Sequence, residues 1–336
     1  MSVPNNSDVI HIALAFCDPK GTYCRHVSVV MASIFANTSS TVCIHIVHDN
    51  TLRIDNKAKL QELADSYNQA IDFINIDNIF EGNRADVGRL SAKGAKGMLF
   101  RLLIPDIINE SKLIYLDCDI VVNLDIAELW RIPLEGHAVA VARDVVSLNC
   151  INGGRVGWRT RQLWNLWRIR CGEYFNSGVI LMNLEKIRTQ YNFFAEVEAF
   201  YSKFKKCTTF ADQDCLNYIF ADDKLLIDER FNRIDTCGAD DDNVKGFIWH
   251  MAGEKPWVVY TRPHVDDLYW RYLRLTPYCN DENSLISLML ENLSSSVFTH
   301  RHSSDCVKRL KKQLADNIFH GHTLTVPHIL FRKIVK

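Results

Sequence analysis

Several signatures that would name a chemistry outright are missing from this 336-residue chain. No GxGxxG follows the first strand-like segment and no GxxxxGK[ST] occurs, so neither a dinucleotide turn nor a P-loop is supported. Gly153-Gly154 and the glycines of Lys93–Gly97 do not follow strand-like segments and read as loop glycines. A GxSxG elbow is also lacking. The 11 cysteines include no CxxC pair, and the closely spaced ligand pairs of a zinc site are not found. Cys17, Cys43, Cys118 and Cys215 lie in apolar stretches and are expected to be reduced and to pack as small hydrophobes. No apolar run approaches the roughly 20 residues that span a bilayer. Met1–Asp8 lacks the basic and apolar regions of a secretory leader, which predicts a cytoplasmic protein. Neither sign of charge dominates: 39 Lys and Arg stand against 40 Asp and Glu. Nucleic-acid binding through overall charge is therefore not expected.

What is present is a chain able to build a core, with 47% hydrophobic and 24% charged residues. Val9–Phe16, Thr41–Val47 and Ile71–Ile76 read as strands. Between them lie the apolar Val27–Phe35 and the helix-periodic Asn56–Tyr67. This β-α-β-α-β order predicts an α/β fold, a parallel sheet covered by helices. Glu81–Gly97 reads as a loop. Met98–Ile108 reads as a helix interrupted by Pro105, and Lys112–Leu116 as a buried strand. Ala138–Ala142 predicts another strand, ending at Asp144. The long segment Val145–Gly172 is a candidate functional loop. Tyr174–Leu184 is apolar. Asn192–Phe204 and Asp212–Phe220 read as helices, Leu225–Arg230 and Phe247–His250 as short strands.

Four features could carry chemistry. The first is Leu116-Asp117-Cys118-Asp119, which closes a buried strand, the place where open α/β sheets bind ligands. Extended backbone would put Asp117 and Asp119 on one face. Two such carboxylates repel unless a cation or protons intervene, and a divalent ion answers that economically. Turn-forming aspartates are the plain alternative. The second is His250, followed by Gly253 and Lys255: a phosphate and metal corner, or else an ordinary core histidine. The third is Tyr174–Val179, and the fourth Asp212-Gln213-Asp214, which also suits a helix N-terminus.

In this order the four features resemble glycosyltransferase family 8, which includes lipopolysaccharide galactosyl- and glucosyltransferases and the glycogenins. The matching residues are Leu116–Asp119, Phe175–Val179, Asp212–Asp214 and His250–Trp257, within roughly residues 9 to 260. The resemblance implies a GT-A nucleotide-diphospho-sugar transferase fold, a Rossmann-like mixed sheet with helices on both faces. It implies a retaining transfer of glucose or galactose from UDP-glucose or UDP-galactose to a glycan acceptor such as lipopolysaccharide core, with Mn2+ or Mg2+. Asp117, Asp119 and His250 would be the metal ligands. Lys255 and the Gly253 backbone N–H would contact phosphate. Arg101 would meet donor phosphate or sugar, and Asp18 would help hold uridine. Asp144, Asn176 and Asp212 would contact donor-sugar hydroxyls, and Gln213 would lie near the reactive carbon. Gln213, Asp212 and Asn176 are the catalytic candidates. The His250 to Lys255 spacing is one residue shorter than the family's usual HxxGxxKPW.

The resemblance divides the chain into a catalytic domain, 1–276, and a C-terminal extension, 277–336. In the extension Lys308, Arg309, Lys311 and Lys312 interleave with Val307, Leu310, Leu314 and Ile318. That pattern is either a solvated helix face or a docking face for an anionic membrane surface, the cytoplasmic face of the inner membrane. Two other readings are weighed. One is a haloacid-dehalogenase-like phosphatase, with Asp240-Asp241-Asp242 as further acids, although that motif normally closes the first strand. The other is a non-catalytic sugar-nucleotide-binding scaffold.

Overall fold

The computed structural model describes residues 9–79, 96–146, 164–170, 172–204, 208, 210–234, 243–253, 255–258, 262–279 and 284–290. Most of the Glu81–Gly97 and Val145–Gly172 segments, Asp240–Asp242, and the basic tail lie outside the described residues.

The first strands pair as their order predicts. β1 (Ile10–Phe16), β2 (Val42–His48) and β3 (Ala70–Asn75) run parallel, and β4 (Lys112–Leu116) adds parallel to the other side of β1. The sheet is then mixed rather than wholly parallel. β7 (Phe175–Asn183) lies antiparallel between β4 and β6 (Val139–Arg143), and β8 (Lys224–Ile227) closes the order β3-β2-β1-β4-β7-β6-β8. A second, three-stranded sheet joins β5 (Ile120–Asn123), β10 (Phe247–His250) and β9 (Arg233–Ile234) in the order β5-β10-β9.

Each face of the large sheet carries its own core. Ile10, Ile12, Leu14 and Phe16 of β1 face helices α1 (Cys24–Asn37) and α2 (Ile54–Ser66). Ala13 and Ala15 point the other way, toward Phe100, Leu103, Phe200 and Leu216. Period-two alternation thus sorts one strand between two apolar layers. Each Leu, Ile or Val fully buried there contributes about 1.5–3 kcal/mol.

α1 is buried almost all round because it is covered twice, by the large sheet and by the small one. Asn37 Nδ2 donates to the Val122 carbonyl of β5 at 3.0 Å and to Tyr272 Oη at 2.7 Å. Tyr272 belongs to the helix Pro263–Leu273, which starts with proline in its first turn, where no N–H is needed. The Met98–Ile108 segment is not one helix. It is three short turns, Lys96–Leu99, Phe100–Leu103 (a 3-10 turn) and Ile104–Ile107, with Pro105 at the start of the last. Beyond residue 276 the chain stays packed on the domain: Tyr278 Oη donates to Asn56 Oδ1 at 2.8 Å, and Leu285, Leu288 and Met289 rest on the core. Among the described residues, no helix is long and apolar enough to cross a membrane.

The two sheets meet at the turn between β4 and β5. The Asp117 N–H donates to the Gly178 carbonyl of β7 at 2.8 Å, which prolongs the large sheet. Two residues later the Asp119 carbonyl accepts from the Met251 N–H at 2.9 Å, which prolongs the small one.

Candidate active site

That seam brings together residues far apart in sequence. Ligand atoms from Asp117, Asp119 and His250 all lie within 4.8 Å of one another. His250 Nε2 is 3.3 Å from Asp119 Oδ1 and 3.7 Å from Asp117 Oδ2. The other ring nitrogen, Nδ1, is 3.0 Å from Asn232 Oδ1. Asn232 Nδ2 in turn donates to Asn176 Oδ1 at 2.9 Å, which fixes the amide so that its oxygen faces the ring. His250 therefore donates through Nδ1 and points Nε2 at the two carboxylates.

Two carboxylates converging on a ring nitrogen call for positive charge among them, from a proton or a cation. Asp119 Oδ1 is buried and has no hydrogen-bond partner among the described residues. Two carboxylate oxygens and an imidazole nitrogen are a suitable donor set for Mn2+ or Mg2+. The residues fit a divalent cation.

Gly178 makes the approach feasible. A Cβ added there would lie 2.3 Å from His250 Cε1 and 2.9 Å from Asp117 Oδ2. The glycine of the Phe175–Val179 segment is thus required by the close packing of His250 and Asp117.

Arg101 is the hub on the other side. Its Nη2 lies 2.7 Å from Asp117 Oδ1, its Nε 2.9 Å from Asp212 Oδ2, and its Nη1 2.8 Å from the Ser177 carbonyl. Tyr115 Oη also donates to Asp117 Oδ1, at 2.7 Å. Burial alone would weaken the Arg101 charge; Asp117 and Asp212 reverse this and hold the guanidinium protonated. Burial pushes the Asp212 carboxyl up, against Arg101, which Asp212 shares with Asp117. Burial also opposes ionisation of Asp119, but His250 and Lys255 outweigh it and hold that carboxyl well below the usual range.

Gln213 sits in the first turn of the helix Ala211–Ile219. Its Nε2 donates to Asp144 Oδ2 at 3.0 Å and to Tyr174 Oη at 3.1 Å, while Oε1 accepts from the Ser177 N–H at 3.1 Å. The Asp144 carboxylate can only accept, so the amide orientation follows. Asn176, Asp212, Gln213 and Asp144 are all buried. Lys255 forms an ion pair with Asp119 and donates to the Met251 carbonyl at 2.7 Å. Gly253 has φ +97°, left-handed backbone that favours glycine.

Asp18 is at the carboxyl end of β1, and its carboxylate is engaged by the protein. Oδ1 accepts from the Tyr23 N–H at 2.8 Å; Oδ2 accepts from the Cys24 N–H at 3.3 Å and Asn56 Nδ2 at 2.9 Å. It anchors the start of α1. The sequence gives no sign of Asn232 and Asn217, and no role to Tyr174 and Asp214, which lie within its motifs. Tyr174 Oη donates to Asp214 Oδ1 at 2.6 Å, and Asn217 bonds both the N–H and the carbonyl of Phe175. Asp214 was in view as part of the Asp-Gln-Asp run; Asn232, on the turn Glu229–Asn232, carries no local signal.

Known proteins resemble this chain in sequence and fold. General stress protein A of Bacillus subtilis is 24% identical over 302 residues, 83% of this chain and 98% of its own. Glucoside xylosyltransferase 2 of Mus musculus is 25% identical over 223 residues, 63% of this chain and 48% of its own. The structure of the galactosyltransferase LgtC in complex with donor and acceptor sugar analogs matches with a TM-score of 0.64 at 21% identity, over 80% of this chain and 96% of that one. The apo WbbM bifunctional glycosyltransferase matches at 0.69 and 21%, over 87% of this chain and 53% of that one. The shared fold is GT-A, and the phosphatase reading falls away. A sequence profile described as Glycosyl transferase family 8 matches residues 13–259, a span that runs from β1 past Trp257 and holds every residue of the cluster. The chain belongs to glycosyltransferase family 8 and is a glycosyltransferase.

Proposed function

We propose that this glycosyltransferase moves glucose or galactose from a UDP-sugar to a saccharide acceptor, with retention of configuration and with Mn2+ or Mg2+. The observation that carries the reading is the convergence of Asp117, Asp119 and His250 at 4.8 Å or less around a buried Asp119 oxygen that has no hydrogen-bond partner among the described residues. When bound, the cation would offset the charge that develops on the departing diphosphate.

The chain's own residues do the rest. Asn232 holds the His250 ring, and Arg101 holds Asp117 and Asp212 in place. Lys255, released from Asp119 when a cation takes that carboxylate, is proposed to meet phosphate as a point charge, beside the Gly253 N–H. Arg101 is proposed to reach donor phosphate or sugar, and Asp18 the uridine. Asp144, Asn176 and Asp212 are proposed to bind sugar hydroxyls. The transition state has oxocarbenium character. Gln213 is a poor nucleophile, because an amide oxygen is weakly basic. Its oriented Oε1 suits stabilisation of positive charge during same-face attack, with the leaving phosphate taking the acceptor proton.

The catalytic domain is proposed to span 1–276, with the basic extension 277–336 docking a cytoplasmic protein on an anionic membrane surface. Lipopolysaccharide core, or another glycoconjugate at that surface, is the proposed acceptor. The test is UDP release from UDP-glucose and UDP-galactose with and without Mn2+, then transfer to truncated core oligosaccharides. Metal-dependent release that is lost in Asp119→Asn is expected. Release that ignores both metal and Asp119, or UDP binding with no turnover, overturns the reading; the latter is the outcome of a non-catalytic scaffold. Vesicles with and without anionic lipid test the docking.

A further inference from the structure

A second convergence lies at the opposite end of the large sheet. His11 is the second residue of β1, whereas Asp18 follows that strand's carboxyl end. The parallel register sets His11 against Cys43 of β2, and His45 follows Cys43 by two residues on the same face. One ligand atom from each of the three lies within 4.8 Å of the others. His11 Nδ1 is 3.0 Å from His45 Nε2, and the two rings stack with centroids 5.3 Å apart. Both rings are buried, at 8% and 6% exposure. Their outward nitrogens face carboxylates: His11 Nε2 is 3.5 Å from Glu110 Oε2, and His45 Nδ1 is 3.4 Å from Asp72 Oδ2.

A proton count exposes the problem this arrangement poses. The inward nitrogen pair needs one shared hydrogen and the His45–Asp72 contact another. Two neutral imidazoles supply those two hydrogens, and the buried His11 Nε2, which faces Glu110, is left without a hydrogen-bond partner among the described residues. An added proton closes the count, but it gives the neighbouring thiol nothing to do. A cation between the rings also closes it: both inward nitrogens become ligands, both outward nitrogens donate to carboxylates, and Cys43 completes the set. Histidine ligands backed by carboxylates are the usual outer arrangement of such sites.

We propose that His11, Cys43 and His45 form a second metal site, separate from the Asp117–Asp119–His250 cluster, that takes a borderline divalent ion such as Zn2+. One thiolate and two imidazoles favour that ion over Mn2+ or Mg2+. Three protein ligands leave a fourth position for water or a nearby carboxylate. Binding breaks the S–H bond of Cys43, forms the metal–sulfur bond and releases the proton to solvent. The site braces β1 to β2 at the amino end of the sheet.

The experiment is a Co2+ titration of the full, metal-free chain, followed by absorption. A thiolate-to-cobalt charge-transfer band is expected to saturate at one equivalent, to be displaced by Zn2+, to persist in Asp119→Asn and to vanish in Cys43→Ser. Absence of the band in the folded wild type, or its survival in Cys43→Ser, overturns the proposal; a protonated imidazole pair gives the first of these results. A second measurement needs no variant. Zn2+ is expected to slow alkylation of Cys43 by about tenfold or more while Cys17 and Cys279 react as before, because a metal-bound thiolate is withheld from the reagent. Equal Cys43 rates with and without Zn2+ overturn the proposal.

Discussion

The Nδ1 atom of His250 lies 3.0 Å from Oδ1 of Asn232, and this contact decides which nitrogen of the ring faces Asp117 and Asp119. Asn232 Nδ2 holds Asn176 Oδ1, which also accepts from the Gly178 N–H at 2.9 Å. One hydrogen-bonded chain therefore runs from β7 to the imidazole.

Asn232→Ala should raise the Mn2+ concentration needed for half-maximal UDP release by about 10- to 100-fold, the usual cost of losing such an outer partner. At saturating Mn2+ the KM for the sugar nucleotide should move much less. A metal titration of activity distinguishes this from a general loss of folding.

Gly178→Ala should remove metal-dependent activity and cost about 1–3 kcal/mol of stability by overpacking. The added methyl meets the ring and carboxylate that must converge, at 2.3 Å and 2.9 Å. Urea unfolding read beside a metal titration separates the two effects; a variant with wild-type metal affinity would refute the account.

Arg101→Lys should be far from conservative. An ammonium cannot reach Asp117, Asp212 and Ser177 together as the planar fork does. Breaking a buried pair of this kind costs about 3–5 kcal/mol. Both stability and kcat should fall, and added Mn2+ should restore neither, since Asp212 remains without its guanidinium.

Acid stability should depend on Asp223, at the edge of the sheet opposite β3. Burial raises its pKa, but Lys186 at 2.7 Å and Tyr191 Oη at 2.5 Å outweigh that, and the net shift is downward. A carboxyl with a folded pKa below its unfolded value contributes stability that is complete above the unfolded value, about 4, and is lost as pH falls through the folded one. Asp223→Asn should therefore destabilise the protein at pH 7, and the gap to wild type should close as pH drops below about 4. Urea midpoints at both ends of that window check the sign.

The sequence showed six of the seven strands of the large sheet, most of them because they are short, apolar and bounded by turn residues, as Lys112–Leu116 is, whereas the nine-residue β7 reads only as an apolar stretch. It showed α1 less well. That helix is buried without a break from His26 to Phe35 and has almost no polar face, so the helical period is hidden by the second layer above it. β5 and β9, of four and two residues, are too short to leave a pattern. The Pro263–Leu273 helix does leave one, a proline at its start followed by Val265, Leu268, Tyr269 and Tyr272, although no expected element covers it. Among site residues, those in ordered motifs were legible, whereas Asn232 acts only through a fold that brings it to His250. The zinc pattern was sought as closely spaced pairs; Cys43-Ile44-His45 on a strand meets His11 only through the parallel register.

The turn that carries Asp117 and Asp119 is fastened at one end to β7 and at the other to β10. Its first acid rides with the broad sheet, while the second acid and the imidazole ride with the narrow one. The cluster is thus the bite of a jaw whose two halves are separate pieces of β-structure. Any tilt of one half against the other would change the gap between the teeth, so alignment of the halves and the proposed grip on a donor's phosphates would be a single mechanical event.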